Sequence, residues 1–323
     1  MRILFLGGTA FTGPHAVREL AGRGHEVTVF HRGEHEPELP SSVRHVHGDL
    51  SRWDEHVDEL RAVRPDVVVD MRAYVREEAR RVLDFKGIAR RAVVVSSADV
   101  YLAFGRLHRS EPGPPVELPL TEDSPLREVV IDPGYDKVAV EQEARSDPDF
   151  PVTILRYPAV HGPGDPQHRL YSLIRRMDDA RPAILVQDSM ASWRWTRGYS
   201  EDVAHALALA VESDRRAGRI YHVAWEDTAS LVEWIRKLAD VVGWDGRVVA
   251  APAAVLSEPP RFGGDLRQDL VLDTSRIRDE LGYQEVVDER TALERTIEWE
   301  RANPPDDFEV DYDAEDAALA SAG

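Results

Sequence analysis

Short apolar runs alternate with longer stretches of helical periodicity through the first half of the chain. Residues 3–6, 27–30, 43–47, 67–70 and 92–95 are mostly apolar and rich in Val and Ile, the pattern of strands buried on both faces of a parallel sheet. Segments 15–22, 53–63 and 75–85 between them have helical length and spacing. Such a βαβ rhythm predicts an α/β fold, a doubly wound parallel sheet with right-handed crossovers. Residues 152–155 read as a further strand of the same sheet.

Beyond about residue 165 the pattern is mixed. Ser230, with Glu233 three residues on, opens a helix whose apolar positions are Leu231, Trp234, Ile235, Leu238, Val241 and Val242. Asp273 is placed to cap a helix over 274–281 that Gly282 ends, and 291–299 reads as a last amphipathic helix. Pro304 and Pro305 break the chain. The tail beyond them is expected to be disordered or loosely packed.

The segment Leu6-Gly7-Gly8-Thr9-Ala10-Phe11-Thr12-Gly13 follows the first strand and opens the first helix. Gly7 permits a tight turn, Gly13 lets helix and strand approach, and the helix start faces a pyrophosphate. Ala10 stands where a middle glycine is common, and its methyl is small enough to keep the backbone approachable.

This turn resembles that of the extended short-chain dehydrogenase/reductases, the NAD(P)-dependent epimerase/dehydratase family. Further pieces follow in that family's order: Gly48-Asp49-Leu50, Val95-Ser96-Ser97-Ala98-Asp99-Val100-Tyr101, Lys137 with Glu141, and Arg156-Tyr157-Pro158-Ala159-Val160-His161-Gly162. The resemblance implies a Rossmann-like dinucleotide-binding domain over residues 1–165 and a smaller mixed substrate region over 166–300. Parts of about 183–223 would return to the Rossmann core, and 301–323 would form the acidic tail. It implies Gly7, Thr9, Ala10, Phe11, Thr12, Gly13, Asp49, Leu50, Met71, Arg72, Ser96, Lys137, Tyr157 and Pro158 around the cofactor. It also implies a homodimer through helices at 75–85 and 136–145. The substrate would be a nucleotide sugar or a related polar metabolite.

The second strand ends in Phe30-His31-Arg32-Gly33, without the acid that binds a ribose 2′-hydroxyl. Arg32 can pair with a 2′-phosphate and His31 can add a hydrogen bond. NADP(H) is therefore expected over NAD(H).

The family's proton chemistry uses a Ser or Thr, a Tyr, and a Lys four residues after the Tyr. Counting back from Lys137 lands on Pro133, and the nearest tyrosine is Tyr135. On a regular helix that spacing turns Tyr135 roughly 200° away from Lys137. Three readings stay open. Pro133 and Gly134 keep this stretch out of the helix so that Tyr135 joins Ser97 and Lys137; or Tyr101, Tyr74 or Asp99 moves the proton; or the redox chemistry is lost, leaving an NADP(H)-binding sensor or scaffold. Lys137 is one of three lysines among forty basic residues.

Asp99, Tyr101, His161, Arg194 and Arg197 are the substrate-binding candidates, with Trp193 or Trp195 as a stacking face. Arg169, Arg175, Arg176 and Arg181 form a basic segment. His45 and His47 alternate on one strand, but no partner carboxylate is evident, so no metal is expected. The net charge of −19, of which the last 22 residues carry −7, argues against nucleic-acid or membrane partners. With no cysteine, thiolate chemistry is excluded. No run is long enough to span a bilayer, and a soluble, cytoplasmic protein is expected.

Overall fold

The computed structural model describes residues 1–214, 217–256 and 263–322. Its strands are β1 (Arg2–Leu6), β2 (Glu26–His31), β3 (Arg44–His47), β4 (Val67–Asp70), β5 (Arg91–Ser97) and β6 (Val152–Tyr157). Then follow β7 (Ala159–His161), β8 (Ala183–Gln187), β9 (Arg197–Tyr199), β10 (Ile220–His222) and β11 (Arg247–Ala251). The helices are α1 (Gly13–Gly22), α2 (Trp53–Ala62), α3 (Arg76–Ala79), α4 (Leu102–Leu107), α5 (Lys137–Ala144) and α6 (Tyr171–Asp178). After them come α7 (Ser200–Glu212), α8 (Leu231–Val242), α9 (Ser275–Leu281), α10 (Glu289–Ala302) and α11 (Tyr312–Ala322).

Seven strands form one parallel sheet in the order β10-β6-β5-β4-β1-β2-β3. Strand alternation divides its apolar side chains between two layers. Ile3 and Phe5 pack with Ala16, Val17 and Leu20 of α1 and with Val203, Leu207 and Val211 of α7. Leu4 and Leu6 face the opposite side, with Leu60, Val82, Phe85 and Val140. This is the doubly wound Rossmann-like fold read from the sequence. The topological switch lies at β1, between β4 and β2, where ligands bind in such sheets.

A third core joins Ile174 and Met177 of α6, Trp234, Ile235 and Leu238 of α8, and Leu293 and Ile297 of α10. Two small parallel pairs, β8–β11 and β7–β9, lie outside the main sheet. Helix α8 carries the expected capping box: Ser230 and Glu233 satisfy each other's backbone, and Gly243 closes the helix in the left-handed region.

Three expectations are corrected. Segment 75–85 is helical only through α3, then tightens into a 3₁₀ stretch, Arg80–Phe85. Its three-residue repeat puts Val82 and Phe85 on one face against the sheet. Helix α9 starts one residue later than expected: Thr274 holds the cap position without a side-chain bond, and the Asp273 carboxylate accepts the amide of Ser275, the first helical residue, at 2.8 Å. The tail is ordered by α11. Ala318 is buried against Leu185, Ala251 and Leu256, and Glu315 accepts from Arg176 Nε at 2.9 Å. Asp316 pairs with Arg181, whose guanidinium lies 4.5 Å over the Tyr312 ring. Its acids thus neutralise part of the basic segment. Gly323 lies outside the described residues. No described helix is long and apolar enough to cross a membrane.

Candidate active site

The turn between β1 and α1 is shaped by what its glycines exclude. A Cβ on Gly13 would lie 2.5 Å from the Gly8 Cα, so helix and turn approach only because Gly13 has none. Gly7 adopts φ +83°, a left-handed geometry suited to glycine. Phe11 holds φ +50° without being glycine, local strain of the kind concentrated at ligand sites. The turn opens onto a cavity of about 510 Å³ at the carboxyl ends of the strands. Of the residues expected around a cofactor, Gly7, Thr9, Ala10, Phe11, Thr12, His31, Arg32, Asp49, Leu50, Met71, Arg72 and Tyr157 line it. These features fit a dinucleotide: a helix amino end behind a bare turn, with a polar rim at the ends of β2 and β3.

At that rim Arg32 is well exposed and pairs with Glu34 at 2.8 Å. The Asp49 carboxylate accepts the Ser51 amide at 2.8 Å, which with the Ser51 hydroxyl holds its pKa below the usual carboxylate range. His31 is buried, and burial followed by the neighbouring His45 and His47 lowers its pKa.

At the other end of the cavity, Tyr74 joins the lining to a second group of side chains. Its ring centroid is 5.5 Å from that of Tyr135. Lys137 Nζ lies 4.8 Å from the Tyr74 centroid and 5.4 Å from that of Tyr135. The phenol of Tyr135 lies close enough to Ser97 for that hydroxyl to act on its titration, while the Ser97 Oγ accepts the Asp99 amide at 3.2 Å. Helix α5 begins only at Lys137, with Asp136 as its cap. Before it the chain turns: the Tyr135 amide donates to Asp132 O at 3.0 Å, and the Asp136 amide donates to Tyr74 O at 2.8 Å. Tyr135 is therefore not on the helix, the 200° rotation does not apply, and Ser97, Tyr135 and Lys137 converge.

The electrostatics of this group are set by burial. Lys137 Nζ donates to Ala73 O at 2.6 Å and Val95 O at 3.1 Å. Burial pulls its pKa down to about 8, against the opposing pull of Asp70 and Asp99. Asp99 is pushed up to about 6, mainly by burial, with Arg127 and Lys137 opposing. One of its carboxylate oxygens has no hydrogen-bond partner. Tyr135 is raised well above the usual phenol range, first by burial and then by the Asp99 charge.

Other expected site residues lie elsewhere. Ser96 faces the opposite side of β5 from Ser97, and its hydroxyl donates to Glu141 at 2.6 Å. Glu141 also accepts Arg156 at 2.9 and 2.7 Å. Tyr101 is fully buried, accepting Arg156 at 2.6 Å and bonding His222. His161 is enclosed by Tyr199, Trp225 and Trp234, and burial lowers its pKa to about 3. Arg194 is occupied by Asp269 at 2.8 Å. Arg197 stacks 4.4 Å over Trp234, and burial lowers its pKa to about 10. Pro158 packs toward Gly198 rather than into the cavity. Trp193 is buried, donating to Gln268 O at 2.8 Å.

Sequence reasoning gave Tyr74 too little weight. Its signal was its place just past the fourth strand, beside Met71 and Arg72.

The model of the NAD dependent epimerase/dehydratase family matches residues 3–224. The chain is 28% identical over 268 residues to 2′-dehydrokanamycin reductase of Streptomyces kanamyceticus, covering 80% of this chain and 71% of that protein. It is 27% identical over 339 residues to UDP-glucose 4-epimerase of Lactobacillus helveticus, covering 94% and 98%. The Bordetella bronchiseptica enzyme WbmG, solved in complex with NAD, shares the fold at a TM-score of 0.71 and 21% identity, over 94% of each chain. The chain belongs to the NAD dependent epimerase/dehydratase family, as an enzyme built on its Rossmann fold.

Proposed function

We propose that this enzyme reduces a carbonyl, or in reverse oxidises a hydroxyl, on a sugar or related polar metabolite. The convergence of Ser97, Tyr135 and Lys137 beside the dinucleotide cavity carries this reading. The nicotinamide cofactor supplies the hydride when bound. Gly7 to Thr12 and Arg72 would cradle it, and Arg32 with His31 would favour NADP(H) through a 2′-phosphate.

The Ser97 hydroxyl orients the reacting oxygen. Tyr135, buried and beside the Asp99 carboxylate, holds its proton and gives it to the oxygen as charge develops there. The Lys137 ammonium offsets that charge. A phenol kept protonated has its proton in place to give, which fits the direction of carbonyl reduction. The similarity to a 2′-dehydrokanamycin reductase and to a UDP-glucose 4-epimerase supports a sugar-like substrate.

NADPH oxidation measured against keto-glycosides and nucleotide sugars tests the reading. Turnover by the wild type that Tyr135→Phe abolishes, with NADPH binding kept, supports it. Tight NADPH binding without turnover on either substrate class overturns it in favour of a sensor or scaffold.

A further inference from the structure

Outside the catalytic group, three histidines and a glutamate meet at the β2–β3 edge of the sheet. His31 ends β2, His45 and His47 alternate along β3, and Glu36 lies in the connecting segment. The parallel register sets His31 directly opposite His47. His31 Nε2 is 2.8 Å from His45 Nδ1, and His47 Nε2 is 2.7 Å from Glu36 Oε1. One ligand-type atom from each of the four lies within 4.8 Å of the others. The carboxylate missing from the sequence reading is therefore present, brought in by the loop.

We propose that His31, Glu36, His45 and His47 form a binding site for a divalent transition metal of the zinc class. Three imidazole nitrogens and one carboxylate oxygen are a donor set that zinc and its neighbours accept. Tetrahedral bonds of about 2.0–2.1 Å put ligand atoms roughly 3.4 Å apart. The two hydrogen-bonded pairs would open by a little over half an ångström, and the wider pairs would close, to admit an ion. Glu36 and His47 are exposed and His31 is buried, so an ion enters from solvent and is fixed to the sheet.

Metal on His31 Nε2 leaves the ring proton on Nδ1. The Gly33 amide, which donates to Nδ1 at 3.2 Å, must then turn away. The ion thus exchanges one long hydrogen bond for coordination bonds. It acts on the Arg32–Gly33 turn at the cavity rim, where a Cβ on Gly33 would already stand 3.3 Å from the His47 ring. The site is distinct from the catalytic group, and it shares His31 with the 2′-phosphate contact proposed above.

Calorimetric titration of untagged protein with Zn²⁺ tests the site. One equivalent is expected to bind with a Kd of about 1 μM or tighter, and the double variant His45→Ala/His47→Ala to bind about 100-fold more weakly. Glu36→Gln, which keeps the side chain's shape, is expected to weaken binding about tenfold. Co²⁺ is expected to give the visible spectrum of a four-coordinate ion in the wild type, lost in the double variant. Circular dichroism checks that both variants fold. Absence of Zn²⁺ binding below about 1 mM, or a double variant that titrates like the wild type, overturns the proposal.

Discussion

Tyr135 shows how one local break in a helix decides a residue's chemistry. Read on a continuous helix, Tyr135 and Lys137 diverge. With Pro133 and Gly134 ahead of Asp136, the helix starts at Lys137, and Lys137 Nζ comes to 5.4 Å from the Tyr135 ring centroid. The sequence held the breakers but not the direction in which the freed turn would swing, because that depends on Tyr74 and the Asp136–Tyr74 backbone bond. Tyr135→Phe is expected to lower turnover about 10²–10⁴-fold while leaving NADPH affinity nearly unchanged, which steady-state rates and fluorescence titration check together. The rate of carbonyl reduction is expected to fall above about pH 8 as Lys137 loses its charge, and a Lys137→Met variant to lack that limb in its pH–rate profile. Asp99 makes a separate claim. Its folded pKa of about 6 lies above the ordinary aspartate value of 3.8, so its contribution to stability is present below pH 4 and is lost as pH rises through 6. Asp99→Asn is thus expected to raise stability above pH 6 by up to about 3 kcal/mol and to change it little at pH 4, as urea unfolding at the two pH values would report.

At the scale of elements, the readable features were those that depend on neighbours in sequence. The apolar strand runs, the Ser230–Glu233 box and the glycine turn all appear where their spacing puts them. Long-range partnership was not readable. Ser96 and Tyr101 sit in a motif whose residues look equally available, yet strand alternation sends Ser96, and the 3₁₀ turn after β5 sends Tyr101, into a buried network with Glu141, Arg156 and His222. That network ties α5 to β5, β6 and β10, and so fixes Lys137 at the helix start. Arg156 and Glu141 are both nearly inaccessible and bonded twice over. Removing one partner leaves a buried charge unpaired. Glu141→Gln is expected to destabilise the fold by about 3–5 kcal/mol, measured by chemical denaturation, whereas a joint apolar replacement of Glu141 and Arg156 should cost less.

At the scale of the molecule, net charge misled about the tail. Seven acids without a base read as a solvated end, because nothing local shows that Arg176 and Arg181 wait 139 and 135 residues back along the chain from Glu315 and Asp316. Folding brings them together: the Arg176–Glu315 pair is mostly buried, Arg181 meets Asp316 and Tyr312, and Ala318 covers an apolar patch on β8 and β11. The tail therefore acts as a clamp on the β8–β11 pair. Deleting residues 304–323 uncovers Leu185, Ala251 and Leu256 and leaves two arginines without their acids. A loss of about 2–4 kcal/mol is expected from the broken pair and the exposed patch. For a chain of this size that lowers Tm by about 3–6 °C. The double variant Arg176→Ala/Arg181→Ala in the full chain should reproduce only the ionic part of that drop, since it removes the pairs with Glu315 and Asp316 and leaves Ala318 over the apolar patch. A truncated protein that melts with the full chain would mean that α11 adds no stability, and the acidic end would return to the solvated role its composition suggests.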